Sequence, residues 1–166
     1  MMHHWHNRSM TDSPWLDDRR QSVWRSWLAV TGALPGTMGA QLQEDSRLSI
    51  ADFAVLVQLS EAEGERDRIA ELADALQWER SRLSHQLTRM ERRGLVRREE
   101  CPEDGRGAFA VLTDEGRERL VQAAPGHSRL VKGIFFDDLP DEDLEALERI
   151  LGRLGDRIEA AGRTRR

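Results

Sequence analysis

The sequence predicts a mainly α-helical chain with one small two-stranded β wing, and three observations carry that prediction. Apolar residues return at three- and four-residue intervals along most of the 166 residues. The period shortens to two only around residues 95–112. Each change of period coincides with a residue suited to cap or turn a helix. Apolar residues make up 39% and charged residues 33%, enough for a core beneath a well-solvated surface. The longest apolar runs, Phe53–Val57 and Ala108–Leu112, are too short for a membrane span or a signal-peptide core. A single cysteine, Cys101, excludes an intrachain disulfide framework and a cysteine-rich zinc site. Together these features predict one cytoplasmic domain without a membrane partner.

Residues 1–13 show no period and read as a disordered tail, its three histidines lacking a scaffold that would fix a metal geometry. From Pro14 a long helix is expected, with Leu16, Val23, Trp24, Trp27, Leu28, Val30 and Leu34 at helical spacing. Pro35-Gly36 should break or kink it, leaving residues 37–47 as a short second piece. Ser49-Ile-Ala-Asp52 forms a capping-box-like start to a helix carrying Ile50, Phe53, Ala54, Val57 and Leu59. A short helix follows near 67–76, then a turn at Gln77-Trp78. The next helix runs to about Arg93, with Leu83, Leu87 and Met90 as its buried edge, and Gly94 stops it in a left-handed conformation. Residues 95–100 and 108–112 read as strands joined by Cys101-Pro-Glu-Asp-Gly-Arg-Gly107. Thr113 should cap a helix over 114–136, kinked at Pro125. The last helix begins near Pro140. Its Leu144, Leu147, Leu151, Leu154 and Ile158 make a heptad seam, favouring a dimer interface over an intramolecular core.

The net charge is −5, yet residues 80–98 hold seven arginines against one acid, a local +6 on a body that sums to −11. A basic stripe on an acidic body suits a protein that meets a polyanion with one face; a solvated, salt-bridged helix is the plainer alternative. Helix, short helix, turn, helix and hairpin is the order of a winged helix-turn-helix, whose second helix enters the major groove while the hairpin tip reaches the neighbouring backbone or minor groove.

Three stretches, Ile69-Ala-Glu-Leu-Ala-Asp-Ala-Leu76, Glu79-Arg-Ser-Arg-Leu-Ser-His85 and Arg89-Met-Glu-Arg-Arg-Gly-Leu-Val96, resemble the helix-turn-helix of MarR-type (multiple antibiotic resistance regulator) transcription factors. Asp104-Gly-Arg-Gly107 and Leu112-Thr-Asp-Glu-Gly116 resemble that family's wing tip and the entry to its next helix. Gln77 stands where the family usually carries Gly at the turn. The resemblance covers residues 14–160 in element order. It implies a single domain over 14–162, with helices 14–47 and 114–162 dimerising around a winged helix-turn-helix at 49–113. It also implies a homodimeric, sequence-specific DNA-binding regulator, a repressor on a palindromic operator of double-stranded DNA, released by a small aromatic or anionic effector. A winged-helix protein-interaction module that binds no DNA is the alternative.

If Leu83, Leu87 and Met90 face inward, Ser81, Arg82, Ser84 and His85 are placed for base edges, and Arg80 and Arg89 for phosphates. Arg92, Arg93, Arg97 and Arg98 suit surface salt bridges as well as DNA. Arg106, at the wing tip, suits a narrow minor groove; Asp104, by resemblance, braces it, unless it is a plain turn residue. Trp24, Trp27 and Phe53 read first as core aromatics. By resemblance they would line an effector cleft between the helical and winged parts. Ser81 and His85 are four residues apart, but no orienting acid or strained elbow accompanies them, so no enzyme is expected. No cofactor motif or metal-ligand pair is present. Cys101 beside the wing reads as structural rather than as an oxidation sensor.

Overall fold

The computed structural model describes residues 15–100 and 107–163. The tail 1–13, Cys101, Asp104 and Arg106 lie outside the described residues. Among the described residues, six α-helices and three short strands follow in the order α1 (Asp18–Ser46), α2 (Ile50–Glu61), β1 (Arg66–Arg68), α3 (Ile69–Ala75), α4 (Arg80–Arg92), β2 (Val96–Glu100), β3 (Ala108–Leu112), α5 (Asp114–Phe135) and α6 (Asp141–Arg163). A 3-10 turn at Glu63–Glu65 links α2 to β1.

Local chemistry sets three boundaries where the sequence places them, whereas α1 starts at Asp18, capped by the Asp17 side chain, and not from Pro14. The Ser49 side chain accepts from the Asp52 backbone N–H at 3.1 Å, and the Asp52 carboxylate accepts from the Ser49 N–H at 2.9 Å, a reciprocal capping box. Thr113 accepts from the Gly116 N–H at 3.0 Å and donates to the Gly94 carbonyl at 2.6 Å, so the cap of α5 is tied to the end of α4. Gly94 has φ +72°, and the Leu95 N–H donates to the Met90 carbonyl at 3.0 Å, closing the turn that ends α4.

Neither internal proline divides its helix. α1 runs unbroken through Pro35 and α5 through Pro125, contrary to the expected break at Pro35-Gly36. A proline ring already holds a helical φ; it forfeits one hydrogen bond, to the carbonyl four residues earlier. Those carbonyls belong to Thr31 and Val121, both on exposed turns where solvent reaches them.

The wing is a three-stranded antiparallel sheet in the order β1-β3-β2, not a two-stranded hairpin. β2 pairs with β3 from Val96↔Leu112 to Glu100↔Ala108, while Arg66↔Val111 and Arg68↔Phe109 register β1 on the other edge. Arg66-Asp-Arg68 carries no apolar alternation, so its strand character comes from the open edge of β3 rather than from its own pattern.

The core draws on the end of α1, on α2, α3, α4, β2 and β3, and on α5, while β1 adds no buried residue. Leu42, Leu48, Val55, Leu56, Leu59, Leu72, Leu83, Leu87, Met90 and Val96 are all but inaccessible, with Ala110, Leu112 and Ala123 closing it. On α2 the buried stripe is Asp52, Val55, Leu56 and Leu59, whereas Ile50, Phe53, Ala54 and Val57 remain partly exposed. At the entry to α5 the backbone passes so close that a Cβ on Gly116 would stand 2.1 Å from the Leu95 carbonyl oxygen. No residue of α6 joins this core. Its intramolecular reading therefore fails: Leu144, Ile150, Leu151, Leu154 and Ile158 are exposed, and only Ala146 and Leu147 reach intermediate burial. None of the helices of the described residues is long and apolar enough to cross a membrane.

Candidate nucleic-acid interface

α4 is amphipathic in the expected sense. Leu83, Leu87 and Met90 are fully buried, with Gln86 beside them, and Arg80, Ser81, Arg82, Ser84, His85 and Arg89 are exposed. All six sequence-selected residues of this helix are thus exposed, spread around its solvent side, with Arg89 turned toward Gln86. No hydrogen bond joins Ser81 to His85, so the arrangement offers no activated hydroxyl.

The seven arginines of the basic stretch separate by partner. Arg93 donates to the buried Asp52 carboxylate at 2.6 Å and to the Arg47 carbonyl at 2.6 Å. Arg97 is paired with Glu99. Arg98 reaches back across α4 to Glu91 at 3.3 Å, the Ser84 carbonyl at 2.9 Å and Thr88 at 3.1 Å, fastening the wing to the helix. Arg89 donates to Gln86. Among the described residues, Arg80, Arg82 and Arg92 pair with no carboxylate. Arg93, Arg97 and Arg98 are thereby structural, and unneutralised charge concentrates at the two ends of α4.

Asp52 is the hub that orients α4. Its carboxylate, almost wholly enclosed, accepts from Gln86 at 2.6 Å, from Arg93 and from the Ser49 N–H. One acid therefore caps α2 and ties α4, while Arg93 extends the tie to α1. Sequence reasoning found the capping role and missed the bonds from Gln86 and Arg93, which span 34 and 41 residues. Beside this hub opens a cleft of about 850 Å³ whose walls include Arg47, Arg89, Arg93 and Arg119.

A second missed residue is Trp78, in the α3–α4 turn, over whose ring the Arg82 guanidinium lies at 4.3 Å. On the wing, the Arg66 and Arg68 guanidiniums lie 4.5 and 5.4 Å from the Phe109 ring centroid, and Arg66 also meets Glu99 at 3.5 Å. Trp24 and Trp27 fill no core: both are exposed on the N-terminal half of α1. Phe53 is half-buried against the His127 ring, with centroids 4.5 Å apart. None of the three lines the arginine-walled cleft. Burial holds the His127 imidazole below its ordinary value.

Residues 48–107 match the model of the MarR family. The transcriptional regulator HosA of Escherichia coli O111:H- is 38% identical over 108 residues, a match covering 64% of this chain and 77% of HosA. This chain belongs to the MarR family. The HTH-type transcriptional repressor YetL of Bacillus subtilis is 31% identical over 111 residues, taking in 67% of this chain and 66% of YetL. Among solved structures, AbsC from Streptomyces coelicolor, a MarR family transcriptional regulator, superimposes with TM-score 0.84 at 42% identity, covering 89% of this chain and 99% of AbsC. Sco3205 of the same organism, a family member solved in complex with DNA, gives TM-score 0.83 at 41% identity over 87% of this chain and 91% of its own. The family assignment makes the chain a transcriptional regulator with a winged-helix fold.

Proposed function

We propose that this regulator is a sequence-specific DNA-binding repressor that acts as a homodimer on a palindromic operator. The observation that carries the reading is the composition of the exposed face of α4: Arg80, Ser81, Arg82, Ser84, His85 and Arg89 stand outward, and neither Arg80 nor Arg82 is neutralised by an acid. A helix of this kind fits the major groove, where Arg82 and its serine and histidine neighbours meet base edges and Arg80 and Arg89 hold phosphates. Asp104 and Arg106, which the sequence reads as the wing tip, are proposed to add a minor-groove contact, Arg106 entering the groove and Asp104 bracing it. The DNA complex of Sco3205 and the repressor name of YetL support the partner and the sign.

The dimer follows from α6. Its exposed leucine seam and the exposed Trp24, Trp27 and Leu28 of α1 leave apolar surface that a second copy would cover. In this division, 14–47 and 114–162 form the dimerising helices and 49–113 the winged module. Release by a small effector fits the arginine-walled cleft, which suits an anion and abuts the bond from Arg93 to Asp52.

A fluorescence titration against the upstream region of its own gene and against random duplex, at two salt concentrations, tests the reading. Preference for the upstream duplex with a steep loss of affinity at higher salt is expected. Absence of binding at low salt would contradict it and leave a protein-interaction module.

A further inference from the structure

We propose that Trp78 is the positioning residue that aims Arg82 at a guanine, so that sequence preference is set partly by a side chain outside α4. The inference rests on the proposed reading of α4 as the groove-entering helix. The indole is rooted in a fixed turn. Gln77, at φ +53°, follows the end of α3; its N–H donates to the Asp74 carbonyl at 3.1 Å and the Trp78 N–H to the Ala73 carbonyl at 2.9 Å. Both bonds of a Schellman closure are therefore made. The Trp78 side chain is partly buried against the core. Arg82, four residues on and in the first turn of α4, lies over its ring at 4.3 Å.

The choice of partner matters. A carboxylate would take up N–H groups of the guanidinium, as acids do at one nitrogen each of Arg93 and Arg97. An aromatic ring attracts the charge without supplying that competing bidentate acceptor. Arg82 is thus restrained but not saturated, and part of the cost of ordering its side chain is met before DNA arrives. A restrained, planar fork matches the O6 and N7 acceptors of guanine; a phosphate contact gains less from such aim.

The test begins with a duplex selected by the wild-type protein from a random pool. Each base pair is then replaced in turn, and competition binding is measured for wild type, Trp78→Leu, Trp78→Phe, Arg82→Lys and Arg82→Ala. The wild type should show a guanine in each half-site whose replacement is penalised. Trp78→Leu should erode that one preference roughly three- to thirty-fold and leave other positions and the salt slope unchanged. Trp78→Phe, which keeps an aromatic face, should restore most of it. In the Arg82→Ala background, Trp78→Leu should add nothing at that position.

A uniform loss across all sequences, or effects of Trp78 and Arg82 at different positions, would make Trp78 merely structural and overturn the inference. Unaltered guanine preference in Trp78→Leu would do the same while leaving the DNA-binding reading intact. A wild type with no sequence preference would overturn both. Should Trp78→Leu fail to fold, Trp78→Phe decides: its smaller ring holds the guanidinium less strongly, so a partial loss of guanine preference at that position alone supports the proposal and an undiminished preference contradicts it.

Discussion

The winged half of the chain and its two helical ends treat their leucines in opposite ways. Between Leu42 and Leu112, leucines spaced along five elements converge on one core and lose essentially all contact with solvent. Along α6, leucines in a more regular pattern stay outside it: Leu144 is 41% exposed, Leu154 38% and Ile158 72%. The N-terminal half of α1 behaves like α6, with Trp24 49% and Trp27 43% exposed. Regular heptad spacing is therefore no sign of an internal core. What distinguishes the two regions is whether neighbouring elements arrive from several directions, as around α4, or whether a helix extends past its neighbours, as α6 does.

Charging the helical seam should break this contrast most severely. The double change Leu151→Asp and Leu154→Asp is expected to weaken self-association by about a hundred-fold or more, since each leucine loses roughly 1.5–3 kcal/mol of burial. Sedimentation velocity should report monomers whose winged half still melts cooperatively. Leu87→Ala is the complementary change. It should lower stability by about 2–5 kcal/mol in urea titration, because it empties a site with no access to water.

Within the winged half, Asp52→Ala should cost about 1–3 kcal/mol, because it leaves the buried Gln86 amide without its acceptor and removes half of a capping box. Chemical denaturation measures the loss, and reduced DNA affinity should accompany it if the hub fixes the attitude of α4. Gly116→Ala should cost about 1–3 kcal/mol by forcing α5 away from the Leu95 carbonyl. Gly152→Ala, on α6, where a Cβ would meet nothing within 4 Å, should instead stabilise that helix by about 0.5–1 kcal/mol and gives the matched control in thermal melts.

The smallest effect concerns pH. Burial lowers the folded value of His127 beneath 6.5, so below that unfolded value the unfolded chain binds more protons than the native one. The resulting stabilisation is present above pH 6.5 and is lost as pH falls through the lowered folded value. Between pH 7.5 and 5 the urea midpoint of wild type should fall relative to that of His127→Phe if this group is responsible. A constant difference between them would exclude it.

Much of this architecture was legible in local sequence. The capping box at Ser49, the cap at Thr113, the stop at Gly94 and the buried edge of α4 each depend on residues within a turn or two of one another, and each stands where the pattern places it. The features that were not legible depend on distance along the chain. Arg66–Arg68 becomes a strand only because β3 offers an edge. Asp52 reaches Gln86 and Arg93 only once α2 and α4 are stacked. Pro35 reads as a breaker because sequence does not reveal that the turn holding Thr31 is exposed. The six residues selected on α4 are all exposed, as Glu91 and Arg92 are too, yet which arginines are already spent on acids required the structure. Arg93, Arg97 and Arg98 have the same local signal as Arg80 and Arg82 and different partners.

Hydroxyl-radical footprinting on the selected duplex tests the central claim most directly, because it reads both the face of α4 and the pairing of two copies. Two protected tracts of equal extent, centred about one helical turn of DNA apart on one side of the duplex, are expected. A single tract, or protection indifferent to sequence, would contradict the account.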